Sequence, residues 1–239
     1  MDSLQGKLTK KAMRSALAKL PKGSEALKEA YNGAIERIKG QLYEEFELAK
    51  NVLSWIIYAQ RPLTTEELSH ALAVEANESK LDEENIPDVE DMVSVCAGLV
   101  IVDEECNIIR LVHYTTQEYF KDIKEDWNPY AQQNIASTCL TYLSFETFGT
   151  GSCPCDADFE DRLSRNRFLE YAARYWGQHA LKVQKTIEMV ALPFLYNEAL
   201  ISCSIQVASV SQRQDTQSKW SVREHHQISK HGHQFLSIT

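Results

Sequence analysis

Apolar residues recur at three- and four-residue spacing through most of this chain, and the pattern switches to alternation in only one place. Residues 8–39 predict two amphipathic helices: Met13, Ala16, Leu17 and Leu20 form the first stripe, and Leu27, Tyr31, Ala34, Ile35 and Ile38 the second. The intervening "LPKGS" supplies proline and glycine for a turn. Phe46, Ala49, Val52, Leu53, Ile56 and Ile57 predict the next helix, which Arg61-Pro62 ends because proline disfavours helical geometry in the residue before it.

"LTTEEL" then carries a capping box: Thr64 accepts from the Glu67 amide while the Glu67 carboxylate reaches back. Leu63 and Leu68 sit at the flanking staple positions. That helix is predicted to run to about Val74, and the acidic stretch Glu75–Asn85 follows as a loop. A third helix starts near Pro87-Asp88 with Val89, Met92, Val93, Cys96 and Ala97 on its stripe and Gly98 as its stop. Two β-rich runs come next, "LVIV" (99–102) and "IIRLVHY" (108–114), joined by "DEECN" as a hairpin. Three helices followed by a hairpin is the order of a winged helix. "TTQEYF" opens a further helix, with Thr115 and Glu118 placed for a second capping box and Tyr114 and Tyr119 for its staple.

From 128 to 205 the period is helical again. "AQQNIASTCLTYLSF" and "NRFLEYAARYWGQHAL" predict two helices, "FGTGSCPCDADFEDR" a loop between them, and "QKTIEMVALPFLYNEALISCSI" one or two more, broken near Pro193. From Ser211 there is no period and little apolar content, which predicts a disordered or aberrant tail. The expected fold is mainly α: a winged-helix domain over 45–125, preceded by a helical end of another region (1–44) and followed by a helical segment (126–210) and the tail (211–239).

Composition narrows the function classes. Hydrophobic residues at 44% and charged residues at 25% are ordinary for a globular chain. The formal charge of −9 is uneven, since residues 1–125 hold 15 Lys/Arg against 23 Asp/Glu. Between Glu66 and Glu105 the sole basic side chain is Lys80. Such a field disfavours nucleic acid and anionic membranes as partners. The third helix of a DNA-reading winged helix enters the major groove on basic side chains, whereas this one carries Asp88, Glu90 and Asp91, and the wing tip Asp103, Glu104 and Glu105. The N-terminus has no apolar signal region, no run reaches bilayer length, and six cysteines are sparse for a disulfide scaffold. A cytoplasmic protein with reduced thiols is the expectation.

Catalytic signatures are missing from the sequence. There is no phosphate-cradling G-x-x-x-x-G-K-[ST], no dinucleotide fingerprint and no nucleophile elbow, so no catalytic residue, no metal site and no cofactor of the chain itself is expected. Cys153 and Cys155 form half a zinc site without a second pair at finger-like spacing, and the tail histidines His225, His226, His231 and His233 have no ordered setting. His113 is the one candidate. Alternation places it on the face of Ile109 and Leu111, as a core histidine; its place at a strand end beside a helix start could equally aim an imidazole N–H at an anion.

"VLSWIIYAQRPLTTEELSHALAVE", "LVHYTTQEYF" and "FLEYAARYWGQHA" together resemble the winged-helix region of fungal NACHT-type signal-transducing NTPases, which ankyrin or similar repeats follow. This winged-helix family is named after GPI inositol-deacylase proteins. The resemblance covers about residues 8–210, and "LAKLPKGSEALKEAYNGAIERI" resembles the helical end of the preceding NACHT region. It implies a non-catalytic regulatory module that packs against an upstream nucleotide-binding domain. In animal NACHT receptors a similar stretch supplies a histidine to the β-phosphate of ADP, and His113 stands at the matching position. The family's P-loop and sensor segments would precede Met1, and no T-P-L-H-x-A ankyrin pattern follows residue 210, which raises the expectation of an incomplete or degraded relative. Two other readings stay open: an acidic adaptor that docks basic proteins through Glu75–Asn85 and the wing tip, and a DNA-binding winged helix.

Overall fold

The structure, a computed structural model, describes residues 24–210; the helix predicted over residues 8–20 and the tail from Ser211 lie outside the described residues. Packing gathers the described chain into two compact units, one of residues 24–63 with 88–129 and the other of 64–87 with 130–210.

In the first unit, α1 (Ser24–Lys39) buries Ala34, Ile35 and Ile38 of its predicted stripe, whereas Leu27 at the start of that stripe is exposed. Helix α2 (Tyr43–Tyr58) starts where the Leu42 amide donates to the Glu45 carboxylate at 3.1 Å, and it ends at Ala59, ahead of Arg61-Pro62. Its inward face is Ala49, Val52, Leu53 and Trp55. Two-residue β1 (Leu63–Thr64) is an outer strand of a three-stranded sheet ordered β1-β3-β2. Strands β2 (Val100–Asp103) and β3 (Ile108–Leu111) are the antiparallel wing, with Val100 opposite Leu111 and Asp103 opposite Ile108. Asp103 pairs within the ladder, so the wing connection is the four residues 104–107 rather than all of "DEECN". Asn107 adopts the left-handed conformation there, φ 53°.

Between β1 and the wing in chain order come α3 (Thr65–Leu72) and α4 (Val89–Ser94). Helix α4 buries Met92 and is followed by buried Val95 and Cys96. The chain turns into β2 through two consecutive left-handed residues, Ala97 at φ 50° and Gly98 at φ 82°. The sequence singles out the glycine; the alanine is the surprise, because its Cβ makes that conformation costly by roughly 1–2 kcal/mol. Helix α5 (Tyr114–Trp127) closes this unit against α1 and α2. Tyr119 donates to Asn32 Oδ1 at 2.7 Å, and its ring lies 5.3 Å from that of Tyr31. Phe120 and Phe46 both meet Trp127 edge-on. Buried Asn128 donates to Ser54 Oγ at 2.9 Å, and Ser54 in turn donates to the Lys50 carbonyl. The residue that ends α5 is thereby tied to α2.

The second unit begins with the capping box of α3 as the sequence predicts it. The Thr64 amide donates to Glu67 Oε2 at 2.9 Å, and the Glu67 amide donates to Thr64 Oγ1 at 3.2 Å. Such a box stabilises a helix start by about 1 kcal/mol. The acidic stretch is partly ordered: Glu83–Asn85 form a 3-10 turn capped by Asp82, and Asn85 Nδ2 donates to the Ala73 carbonyl. Helices α6 (Ala131–Leu143) and α8 (Leu169–Ala180) form the most intimate helix pair. Their shared core is aromatic: Tyr142 sits 5.0–5.7 Å from the rings of Phe145, Phe148 and Phe168, and Phe168 stacks on Tyr171.

One local expectation is corrected here and another is made more exact. Part of the predicted loop "FGTGSCPCDADFEDR" is helix α7 (Asp156–Arg165). It buries only Phe159, which leaves no apolar stripe to find. What favours it is charge, with Asp156 and Asp158 in the first turn and Arg162 and Arg165 in the last, complementing the helix dipole. Pro193 itself stays within a helix, just ahead of the break predicted near it. It lies inside α9 (Gln184–Leu195), and the break falls at Tyr196-Asn197, where Asn197 Oδ1 accepts from the Ala199 and Leu200 amides and starts α10 (Glu198–Val210). Among the described residues no single helix is long and apolar enough to cross a membrane; α9 and α10 reach that length and composition only as a pair, bent by 99°.

Candidate functional site

His113 is not in the core. Strand pairing ends at Leu111, Val112 makes one last bond to the Leu99 carbonyl at 2.9 Å, and the alternation that buries Ile109 and Leu111 stops there. His113 itself is exposed and extended, φ −151° and ψ 153°, as the N-cap of α5. The second capping box therefore does not form, and the N-cap lies two residues before Thr115. Thr115 already lies inside the helix, its amide donating to His113 Nδ1 at 3.3 Å. Glu118 pairs with Lys121 at 2.6 Å instead of reaching back. Tyr114, the supposed staple, is 69% exposed. The threonine hydroxyl is claimed by tertiary structure, since Tyr31 Oη and His113 Nδ1 (2.9 Å) both bond to Thr115 Oγ1.

That network fixes the imidazole chemistry. The Thr115 amide donates to Nδ1, so Nδ1 is an acceptor and a neutral ring carries its proton on Nε2. The Tyr114 ring, 4.4 Å away, flanks the imidazole. His113 thus keeps an N–H donor on Nε2 while its other nitrogen holds the helix start.

The fold gathers further polar groups around it. A cleft of about 390 Å³ runs between the end of α2 and the outer face of β3, lined by Gln60, Arg61, Arg110, His113 and Gln117 among others. Arg61 donates to the Pro62 carbonyl at 3.0 Å, and exposed Arg110 makes a loose 3.5 Å contact with Asp103 across the wing. Sequence reasoning assigned neither arginine a role. Arg110 was findable from alternation, being opposite the buried Ile109 and Leu111; Arg61 was not, since its place depends on how the chain turns after α2.

The other candidates separate. Cys153 is buried and Cys155 exposed, and among the described residues no group of three or more His, Cys, Asp or Glu could hold a metal ion. The tail histidines lie outside the described residues. Burial pushes the Cys96 thiol up to about 12 and Cys139 higher still, which keeps both protonated and poorly nucleophilic. Asp88, Glu90 and Asp91 on and before α4, and Glu104 and Glu105 at the wing tip, are all exposed. The core histidine of this chain is His179, fully buried on α8: Nδ1 donates to Gln132 Oε1 at 3.1 Å and Nε2 accepts from Tyr171 Oη at 2.9 Å. Burial, aided by Lys182, lowers its pKa to about 4.

Comparison with known proteins agrees with the helix-strand order. No solved structure matches. Azaphilone pigments biosynthesis cluster protein L of Monascus ruber is 28% identical over 147 residues, 54% of this chain, and the match spans 30% of that protein's length. Residues 39–131 match the family model described as "GPI inositol-deacylase, winged helix domain". Over those residues the chain folds as a winged helix and is similar to that family's domain.

Proposed function

We propose that this chain is a non-catalytic regulatory module, part of a NACHT-type signalling protein, whose winged helix packs against a nucleotide-binding domain. The observation that carries the reading is the exposed His113, whose Nδ1 accepts at the start of α5 and which lines one cleft with Arg61 and Arg110. A donor sharing a cleft with two guanidinium groups suits a phosphate presented by a neighbouring domain. The acidic outer faces of α4 and the wing weigh against a DNA backbone as partner, since each phosphate contact there would be repulsive. No cofactor is assigned to the chain alone; the nucleotide would belong to the neighbouring domain. The setting of such a module is cytoplasmic.

The test uses a longer protein that contains this chain together with its nucleotide-binding domain. Purified under native conditions, it is expected to carry ADP, and His113→Ala to lower ADP occupancy and raise spontaneous activation. Equal ADP retention in both forms would leave His113 as a helix cap only. A second reading, an acidic adaptor, draws on the wing tip, where Glu104 and Glu105 are exposed and Asp103 is half-buried. It predicts capture of a basic protein that salt abolishes and that Glu104→Lys with Glu105→Lys prevents.

A further inference from the structure

The segment after α6 is laid along α10 in matched register. Gly151, at φ 76°, comes so close that a Cβ there would lie 3.7 Å from the Ala199 Cα and carbonyl oxygen. Ser152 Oγ donates to the Ser202 carbonyl at 3.1 Å and also bonds to the Ser202 hydroxyl. Cys153 exchanges both backbone groups with one side chain: its amide donates to Gln206 Oε1 at 2.8 Å and its carbonyl accepts from Gln206 Nε2 at 3.0 Å. Gly151 thus lies against Ala199, Ser152 against Ser202 and the Cys153 backbone within reach of the Gln206 side chain, so the segment runs beside the turn of α10 that carries Cys203. Both thiols are buried and reduced, Cys153 at 8% and Cys203 at 1% exposure. Arg162 ties the same place together, with Nη1 donating to the Gly151 carbonyl at 2.6 Å and to Cys203 Sγ at 3.1 Å.

From this juxtaposition we propose that Cys153 and Cys203 form a reversible disulfide that locks residues 149–155 onto α10 under oxidising conditions. The oxidant class is a small-molecule disulfide. Cys153 is the entry thiol, because it lines a cleft of about 350 Å³ beside Asp158, Asp161 and Arg162, whereas Cys203 does not reach it. The Cys153 thiolate attacks the small disulfide, forming a mixed disulfide and releasing one small thiol. Cys203, its thiolate form stabilised by the Arg162 guanidinium, then attacks Cys153 Sγ and expels the second small thiol. Two protein thiols lose two electrons and two protons, and the small disulfide gains them. Burial holds the Cys203 thiol above its usual range and Arg162 works against that, so the second step is slow and depends on Arg162. Reduced thiols at rest and a bond formed on oxidation are the pattern of a redox-sensing pair rather than of a structural disulfide.

The test is peptide mapping of the 239-residue chain after incubation with oxidised glutathione, without and then with reductant. The expected result is a cross-linked peptide pair containing Cys153 and Cys203, retained in Cys155→Ser, reversed by reductant, and accompanied by a higher melting temperature. Arg162→Gln is expected to form it several-fold more slowly while accumulating glutathione on Cys153. Cross-linking of Cys153 to exposed Cys155 in its place, or persistence of a free Cys203 thiol while Cys153 stays glutathionylated in the wild-type chain, would overturn the proposal. The wild-type mapping needs no substitution in the core, so a variant that fails to fold does not blunt it.

Discussion

His179 makes the stability of the second unit depend on pH in a defined window. The perturbation is protonation of a fully buried ring whose two nitrogens are both committed, one as donor to Gln132 and one as acceptor from Tyr171. Its folded pKa of about 4 lies below the ordinary value of 6.5, so the unfolded chain binds the extra proton first. The contribution is therefore fully present well above the unfolded pKa and is lost as pH falls through the interval between the two values. From about pH 7 to about pH 5 the loss is roughly 2 kcal/mol, approaching about 3 kcal/mol below the folded pKa, at about 1.4 kcal/mol per unit. Urea unfolding followed by circular dichroism measures it, provided the many carboxylates are subtracted. His179→Gln does that, since it keeps hydrogen-bonding capacity without titrating. The wild type is expected to be the more stable form near pH 7 and to lose its advantage by about pH 5, by the roughly 2 kcal/mol worked above. Parallel stability curves for the two proteins across that range would refute the reasoning.

Two further outcomes test the first unit. Gly98→Ala is expected to cost about 1–2 kcal/mol, all of it backbone strain at φ 82°, because nothing lies within 4 Å of the added Cβ; thermal denaturation checks it, and an unchanged midpoint would mean the turn after α4 can rearrange. His113→Ala in the isolated chain is expected to cost about 1 kcal/mol or less, the scale of an exposed cap. A loss of about 3 kcal/mol or more in chemical denaturation would return His113 to the core.

The winged-helix order was legible because its signals are local. The stripes of α1 and α2, the Thr64–Glu67 box, the left-handed turn at Gly98 and the alternation of the wing each depend on residues within one or two turns, although α4 itself ends earlier, at Ser94. The errors fall where a local pattern had two solutions. "HYTTQE" offers either Thr115 or His113 as the N-cap, and what decides is Tyr31, 84 residues away, which takes the threonine hydroxyl. Helix α7 shows the complementary failure, because a helix that buries a single phenylalanine gives periodicity nothing to detect.

By itself, then, the sequence determined the helical segments other than α7, where the wing lies, and that its third helix and wing tip are acidic. These follow from propensity, spacing and charge, which travel with the residues. Only the tertiary structure decided that Arg61, Arg110 and His113 line one cleft, that His179 rather than His113 is buried, and that the Cys153 backbone is bonded to Gln206 on α10. Each of these joins residues about 50 positions apart or depends on which strand residue pairs last, and no short-range pattern encodes where distant segments of a chain will touch.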